Sequence, residues 1–440
     1  MPRTLFCCVA LLVCSPLCRA DSSITPTEML IRLTVRPMAA PKPALRYLLL
    51  PELMELTPGN PIPNYVKCLL DQDSTGSESL SSSALRQADR AARMDKPDWQ
   101  ILLKVKTDGI GLLLPDLQKL RTLASGLKDR FHDEVVQRRF DDAFVTAKTM
   151  FAMSRHMGEH PTLIGDLVGI AIAYIAIGPL EEMLEQPGCP NLYWALTNMP
   201  SPLVSLERGV EGERVVIQSE LRLLDDTNPM SADQVKKMID YLDKLLGLAD
   251  KPSTRAREWL DVRIKDKKTV QAARLRLVEH GLPEERVARF PAEQVILLDE
   301  KREYEVMRDE IMKLITLPVW QAQKMDIWDK PLPQGVEPNK PLFAFLLPAI
   351  HKVRFAQARL DQRIALLRHV EALRLYAAEH DGKLPAKLSD LPVPVPDDPI
   401  TGKPFRYEVA GATAHLRGSP PRGQEKIPAY NVHYEITIQK

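Results

Sequence analysis

His156, Glu159 and His160 stand in the order H-x-x-E-H within "MSRHMGEHPTLIGDL". Two imidazoles one helical turn apart can hold a zinc ion, and a nearby carboxylate can then accept the proton of the metal-bound water, which is the chemistry of a hydrolase. That chemistry needs both rings on one side of a stable helix, a third protein ligand and a free glutamate. The first need is met on paper, because a separation of four residues is roughly one turn. The others are not. The two histidines lie roughly 150° around the helix from the stripe of Phe140, Phe144, Ala147 and Phe151, so they share the face of Asp142 and Thr149, which is expected to be solvated. Gly158 weakens the helix between them and Pro161 ends it. No downstream acidic motif offers a third ligand. The reading is an exposed helix end, with imidazoles suited to the negative end of the helix dipole. The alternative keeps Glu159 as catalytic base and His156 and His160 as metal ligands.

The remaining chemistry-bearing residues are fewer. Asp397 and Asp398 are adjacent carboxylates that most resemble turn formers before Pro399, with an acid/base or calcium role as the alternative. Tyr193 and Trp194 in "GCPNLYWAL" are candidate partner anchors or core filling. His351, His369 and His380 flank an Arg-rich helix and are expected at its surface. Cys68 and Cys189 are either two buried thiols or a disulfide closing a loop of more than a hundred residues, which would stabilise the fold by ~4–5 kcal/mol in the chain-entropy view. No phosphate-binding Gly-rich loop, G-x-S-x-G elbow or C-x-x-C pair is present in the sequence, and no cofactor is expected.

Helices must position these residues. Leu45, Leu48, Leu49, Leu53 and Leu56 suggest a helix restarted at Pro51, after an exposed Pro-bearing start. "TPGNPIPN" reads as a turn, "DSTGSESLSSSAL" as a loop, and Trp99 to Leu123 as helix interrupted by "DGIG" and Pro115. Phe140, Ala143, Phe144, Ala147, Met150 and Phe151 recur at three and four residues, the pattern of an amphipathic helix. Its neighbour "TLIGDLVGIAIAYIAIGPLEEML" is apolar nearly all round. Its uncharged run, Leu167 to Leu180, falls short of the ~20 residues that span a bilayer, so it reads as a core helix whose small residues let neighbours approach. The pair looks like one tetratricopeptide-type hairpin, without a fixed repeat elsewhere. Further helices are expected at about 203–224, 231–249, 253–280 and 291–316, before "WDKPLPQGVEPNKP" marks a linker. A long helix ending at Asp381-Gly382 follows, then alternating stretches "PVPVPDDPITGKPFRYEV" and "YNVHYEITIQK" that read as a small sheet with a turn at Thr401-Gly402.

Composition agrees. The 440 residues suffice for two or three domains; Lys plus Arg (59) balance Asp plus Glu (58), which argues against a nucleic-acid partner. Gly is scarce at 20, and 37 prolines punctuate helices. "MPRTLFCCVALLVCSPLCRA" has the layout of a secretory signal peptide cut near Ala20, with a lipoprotein anchor as the rival.

The run "ALRLYAAEHDGKLPAKLSDL" followed by "DDPITGKPFRYEV" is similar to the soluble part of the major pseudopilins of type II secretion. Tyr376, Gly382, Pro385, Leu388, Leu391, Asp398, Pro399, Gly402, Pro404 and Tyr407 carry the resemblance. It covers about a fifth of the chain and implies a shared helix-plus-sheet element. The pilin-type leader and the acidic Gly-rich calcium loop of those proteins have no counterpart here, so a pilus subunit is not implied. "LLLPELMELTPGN", "HPTLIGDLVGIAIA", "PNLYWALTNMPSPL" and "PAEQVILLDE" look like a family of exported planctomycete proteins, a resemblance that brings no activity.

The expected fold is therefore mostly α: stacked antiparallel helical hairpins, one tetratricopeptide-like, followed by a small α+β pseudopilin-like module. The expected parts are a signal peptide (1–20), a helical domain (24–327), a Pro-rich linker (328–342) and a long helix with a small β-sheet (343–440). The expected role is a non-catalytic scaffold or protein-binding protein, periplasmic or extracellular, whose partner is another envelope protein, with no nucleic acid and no transmembrane segment in the mature chain. The alternatives are a zinc hydrolase on the HMGEH motif and an accessory component of a type II secretion-like system.

Overall fold

In a computed structural model of the chain, residues 28–75, 81–108, 112, 114–246, 255–325, 341–347 and 350–439 are described. The expected signal peptide and nearly all of the Pro-rich linker lie outside them. Among the described residues there are fifteen α-helices and one four-stranded mixed sheet.

The helices that carry the pentapeptide follow its apolar periodicity. Helix α1 (Ile62–Thr75), α2 (Ser82–Ala92, capped by Ser81, whose hydroxyl accepts the Ala84 N–H) and α3 (Leu102–Asp108) precede α4 (Pro115–Val136), which has proline at its first position. Helices α5 (Phe140–Met157) and α6 (Leu163–Glu185) pack on each other and on α4. Helix α6 is the centre of the main core. It is long and apolar enough to cross a membrane, and 72% of its apolar window is buried inside the protein. Gly169 is where α5 comes close: a Cβ there would lie 2.8 Å from the Ser154 carbonyl oxygen, and Ser154 Oγ donates to the Gly169 carbonyl at 2.8 Å. The small residues of this helix thus set the spacing between neighbours, as the sequence suggests.

Next come α7 (Tyr193–Thr197), α8 (Glu207–Glu220), α9 (Ala232–Leu246), α10 (Ala256–Lys265), α11 (Lys267–Glu279), α12 (Glu284–Arg289) and α13 (Ala292–Met312). The helix expected at 253–280 is two, because Asp266 ends α10 and caps α11, accepting from Lys268 N at 3.0 Å and Thr269 Oγ1 at 2.7 Å. A second apolar cluster, which holds Trp259 and Phe290, runs from the end of α8 through α13 and takes in Leu342, Phe343 and Leu346, and the last turn of α13 hands over to the main core through Ile311 and Met312. After α14 (Val319–Ala322), α15 (Ile350–Glu379) runs for 30 residues. It ends as expected: Asp381 and Gly382 have positive φ, and Gly382 N–H returns to the Ala377 carbonyl at 2.8 Å.

The sheet has the order β1-β4-β3-β2, from strands Met29–Val35 (β1), Arg406–Ala410 (β2), Thr413–Arg417 (β3) and Val432–Ile438 (β4). Strand β1 runs parallel to β4, from Met29 opposite Val432 to Val35 opposite Ile438; the other pairings are antiparallel. The expected exposed start is therefore an edge strand, with Leu33 and Val35 facing inward and Arg32 and Thr34 outward. Its inner face, with Leu416, Tyr434 and Ile436, joins α6 and α15 in one apolar cluster, so the first and last strands share a core with the helices.

Two buried ion pairs bind these layers. Arg363 on α15 donates to both oxygens of Glu181 on α6 at 2.9 Å, and the Tyr434 hydroxyl of β4 donates to the same carboxylate. Arg374, 1% exposed, donates to Glu371 at 2.8 Å and to the carbonyls of Cys189 at 2.9 Å and Arg36 at 3.0 Å. Removing one member would strand a buried charge, at about 3–5 kcal/mol.

The helix expected across Leu45 to Leu56 is absent. Pro51 removes a donor within this stretch, Pro41 and Pro43 precede it, and it holds only a 3-10 turn at Leu53–Glu55. The segment instead lies against α5: Tyr47 stacks on Phe144 at 4.8 Å, and Lys148 Nζ donates to Glu55 at 2.6 Å.

Candidate functional site

The pentapeptide does not form one helical face. Helix α5 ends at Met157, with Gly158 as its cap, so His156 is in the last turn while Glu159 and His160 lie in the turn beyond. Their side chains part company. His156 Nδ1 lies 3.0 Å from the Tyr65 hydroxyl of α1; His160 Nδ1 lies 2.8 Å from Thr162 Oγ1; exposed Glu159 is 3.8 Å from Arg208 of α8. The structure thus brings none of the three to a common point.

The expected solvated face is also corrected. His160 is 1% exposed, with Trp99 edge-on to its ring at 4.7 Å, and His156 is half-buried, its carbonyl accepting the Trp99 indole N–H at 3.1 Å. Thr149, expected on the same wet face, is buried and donates to Asp89 of α2 at 2.7 Å. The reason is that α5 is covered on both sides: Tyr47 stacks on Phe144 of its phenylalanine stripe and α6 packs beside it, while Tyr65 of α1, Asp89 of α2 and Trp99 meet the opposite side. Burial holds His160 down to about 4; burial, helped by the charge of Arg155, does the same to His156. Both rings are therefore neutral hydrogen-bonding groups at neutral pH. Behind them Asp166, in the first turn of α6, is fully buried, and neither carboxylate oxygen has a hydrogen-bond partner. Burial, with the charges of Glu213 and Glu159 adding to it, pushes Asp166 well above the usual range, and burial pushes Glu213 up to about 7.

The other expected residues are mostly structural. Cys68 and Cys189 are buried thiols with separate surroundings and no disulfide joins them: Cys68 Sγ donates to the Asn64 and Ala84 carbonyls at 3.2 Å, and Cys189 Sγ to the Pro190 carbonyl at 3.4 Å. Burial pushes the Cys189 thiol up to about 12. Tyr193 is fully buried and its hydroxyl donates to the Pro394 carbonyl, so it is core and not an anchor; Trp194 is half-buried against it, edge-on at 5.0 Å. Asp398 is the turn former expected, accepting from Ile400 N at 2.9 Å, Ser419 N at 2.8 Å and Gln362 Nε2 at 3.0 Å, whereas Asp397 is exposed. His369 is not at the surface: it is 1% exposed, donates from Nδ1 to the Ala365 carbonyl at 2.8 Å, and is held down to about 4 by burial. His351 is half-buried, and only His380 is exposed, stacked on Tyr376 at 3.8 Å.

Among the described residues, a groove and a side-chain cluster are placed to act on something outside the chain. One is a groove of about 450 Å³ beside the "LPVPVPD" segment, floored by His369 and walled by Leu388, Leu391, Val393 and Val395, with Pro392, Pro394 and Pro396 between them. The other is on the outer face of the sheet, where the sequence gives little warning. Strand register sets His415 of β3 opposite Glu435 of β4, and His433 lies two residues before Glu435 on the same side. His415 Nδ1 is 3.1 Å from His433 Nε2 and 3.9 Å from Glu435 Oε1, while Glu28, just before β1, meets His433 Nδ1 at 2.9 Å. Among the described residues this is the cluster of three potential metal ligands whose ligand atoms converge, all within 4.8 Å. The H-x-E spacing on a strand was the available signal, but the third member comes from another strand.

Compared with known proteins, the chain matches no family model, no curated protein and no solved structure.

Proposed function

We propose that this is a non-catalytic, exported protein that holds another envelope protein, with α15 and the terminal sheet forming a pseudopilin-like module on a body of helical hairpins. The observation that carries this reading is the groove beside "LPVPVPD". Its walls are valines and leucines, and its shape is fixed by alternating prolines and by the Tyr193 hydroxyl bonded to the Pro394 carbonyl. A preformed apolar groove loses little conformational freedom on binding, so a modest contact area suffices to retain a partner segment. His369 at its floor is neutral and already committed to Ala365, which suits a wall better than a proton carrier.

The test is a photo-reactive amino acid placed at Ser389, on the exposed rim, against one at Arg138, exposed and remote. The reading expects one discrete envelope protein cross-linked from position 389 and none from 138, in cells making the full chain. Equal labelling from both positions would defeat it. Peptide hydrolysis by the purified chain that disappears in Glu159→Gln would replace it with the hydrolase reading.

A further inference from the structure

We infer that His415, His433 and Glu435 form a binding site for a zinc-class divalent ion on the outer face of the sheet. Strand pairing, not loop conformation, brings the three together, and so the site is built into the register. A tetrahedral zinc ion with bonds of about 2.0–2.1 Å holds its ligand atoms ~3.3 Å apart. His415 Nδ1 is 3.1 Å and 3.9 Å from the other two ligand atoms, and all three lie within 4.8 Å of one another, so a change of side-chain torsion is what the shell needs to close.

The groups behind the ligands point the same way. Glu28 Oε2 accepts from His433 Nδ1 at 2.9 Å, which fixes the tautomer and leaves the Nε2 lone pair aimed at His415. Arg32 Nε donates to Glu435 Oε2 at 2.9 Å and leaves Oε1 for the ion. His433 and Glu435 thus each have one atom oriented by a neighbour and the other directed toward His415. Without metal, His415 Nδ1–H donates to His433 Nε2; on binding, its proton moves to Nε2 as the ring changes tautomer, and the ion replaces the shared hydrogen. The surrounding charges are Glu28, Glu408 and Glu435 against Arg32 and Arg417, with Arg417 drawn to Glu28 at 3.8 Å and Glu408 at 3.4 Å. Two imidazoles select a borderline ion over calcium or magnesium, which prefer all-oxygen shells. Three protein ligands leave a fourth position, and His415 and Glu435 are partly exposed, so water can reach the ion.

The test strips the purified full chain with a chelator and titrates Zn²⁺ against a chromophoric competitor, with Mg²⁺ in excess and Co²⁺ as a spectroscopic substitute. The expected result is one equivalent of Zn²⁺ and a four-coordinate Co²⁺ spectrum. His433→Ala should weaken binding at least 100-fold, and Glu28→Gln ~10–100-fold at unchanged stoichiometry. Should His433→Ala fold poorly, Glu435→Gln, at a half-exposed position, removes the carboxylate ligand instead. His160→Ala should leave the titration unchanged. No bound equivalent in the wild type, an equivalent that survives both His433→Ala and Glu435→Gln, or one lost with His160→Ala would each overturn the assignment.

Discussion

Replacing His160 by glutamine tests whether the pentapeptide is wet or dry. In the fold its pKa is held down to about 4 by burial, from a reference value of 6.5. Between those values the unfolded chain carries a proton that the folded chain does not, so the contribution of this group to stability is full above 6.5 and is lost as pH falls toward about 4. At pH 5 the two titration curves differ by about 2 kcal/mol, and at pH 7.5 by almost nothing. Other groups oppose the trend: Glu213, Glu300 and Asp361, each pushed up to about 7, bind protons in the fold over the same range. Only the difference between wild type and His160→Gln isolates the imidazole. Urea unfolding of both at pH 7.5 and pH 5.0 should therefore show the advantage of the wild type shrinking by ~2 kcal/mol on acidification. The same advantage at both pH values would mean that the ring titrates in water, as the helical periodicity of the sequence alone suggests, and would refute the burial argument.

Three further perturbations address the packing. Arg363→Met should cost ~3–5 kcal/mol in urea unfolding by stranding Glu181, and adding Glu181→Leu should recover most of the loss; a double variant no better than the single one would deny that the pair is a coupled unit. Asp166→Asn should stabilise the fold at pH 8 and less so at pH 5, because a buried acid with a raised pKa favours folding only while protonated; thermal melts showing the reverse order would contradict that environment. Gly169→Ala should cost ~1–3 kcal/mol, since the added methyl meets the Ser154 carbonyl and α5 must move away. A melting temperature unchanged by that substitution would show that α5 and α6 are not in close contact there.

The legible parts of the fold were those set by local signals. The stripe from Phe140 to Phe151 gave α5, the length of the uncharged run with its small residues gave a core helix at α6, and Gly382 closed α15. What escaped was decided by partners remote in sequence. Strand β1 has the alternation of Ile31, Leu33 and Val35, but it pairs in parallel with β4 at the far end of the chain, so no hairpin turn announces it. Helical periodicity assigned His156, His160 and Thr149 to water because it knows one covered side only; α1, α2 and Trp99 supply a second, and small polar residues such as Thr149 and Ser154 find buried acceptors. His369 was assigned to the surface because its helix is rich in arginine, yet Arg354, Arg363 and Arg374 of that helix are themselves buried. The leucines from 45 to 56 have a plausible spacing, yet Pro51 among them and Pro41 and Pro43 just before them outweigh it. Of the sheet cluster only the His433-x-Glu435 spacing was legible, because His415 joins it through strand register.

On our inference the metal-capable histidines of this protein are on the sheet, and those of the pentapeptide are spent on packing. Crystals of the full chain grown with one equivalent of Zn²⁺, measured on either side of the zinc absorption edge, test it most directly. An anomalous peak is expected between His415, His433 and Glu435. A peak beside His156 and His160, or no ordered zinc at the sheet, would contradict it.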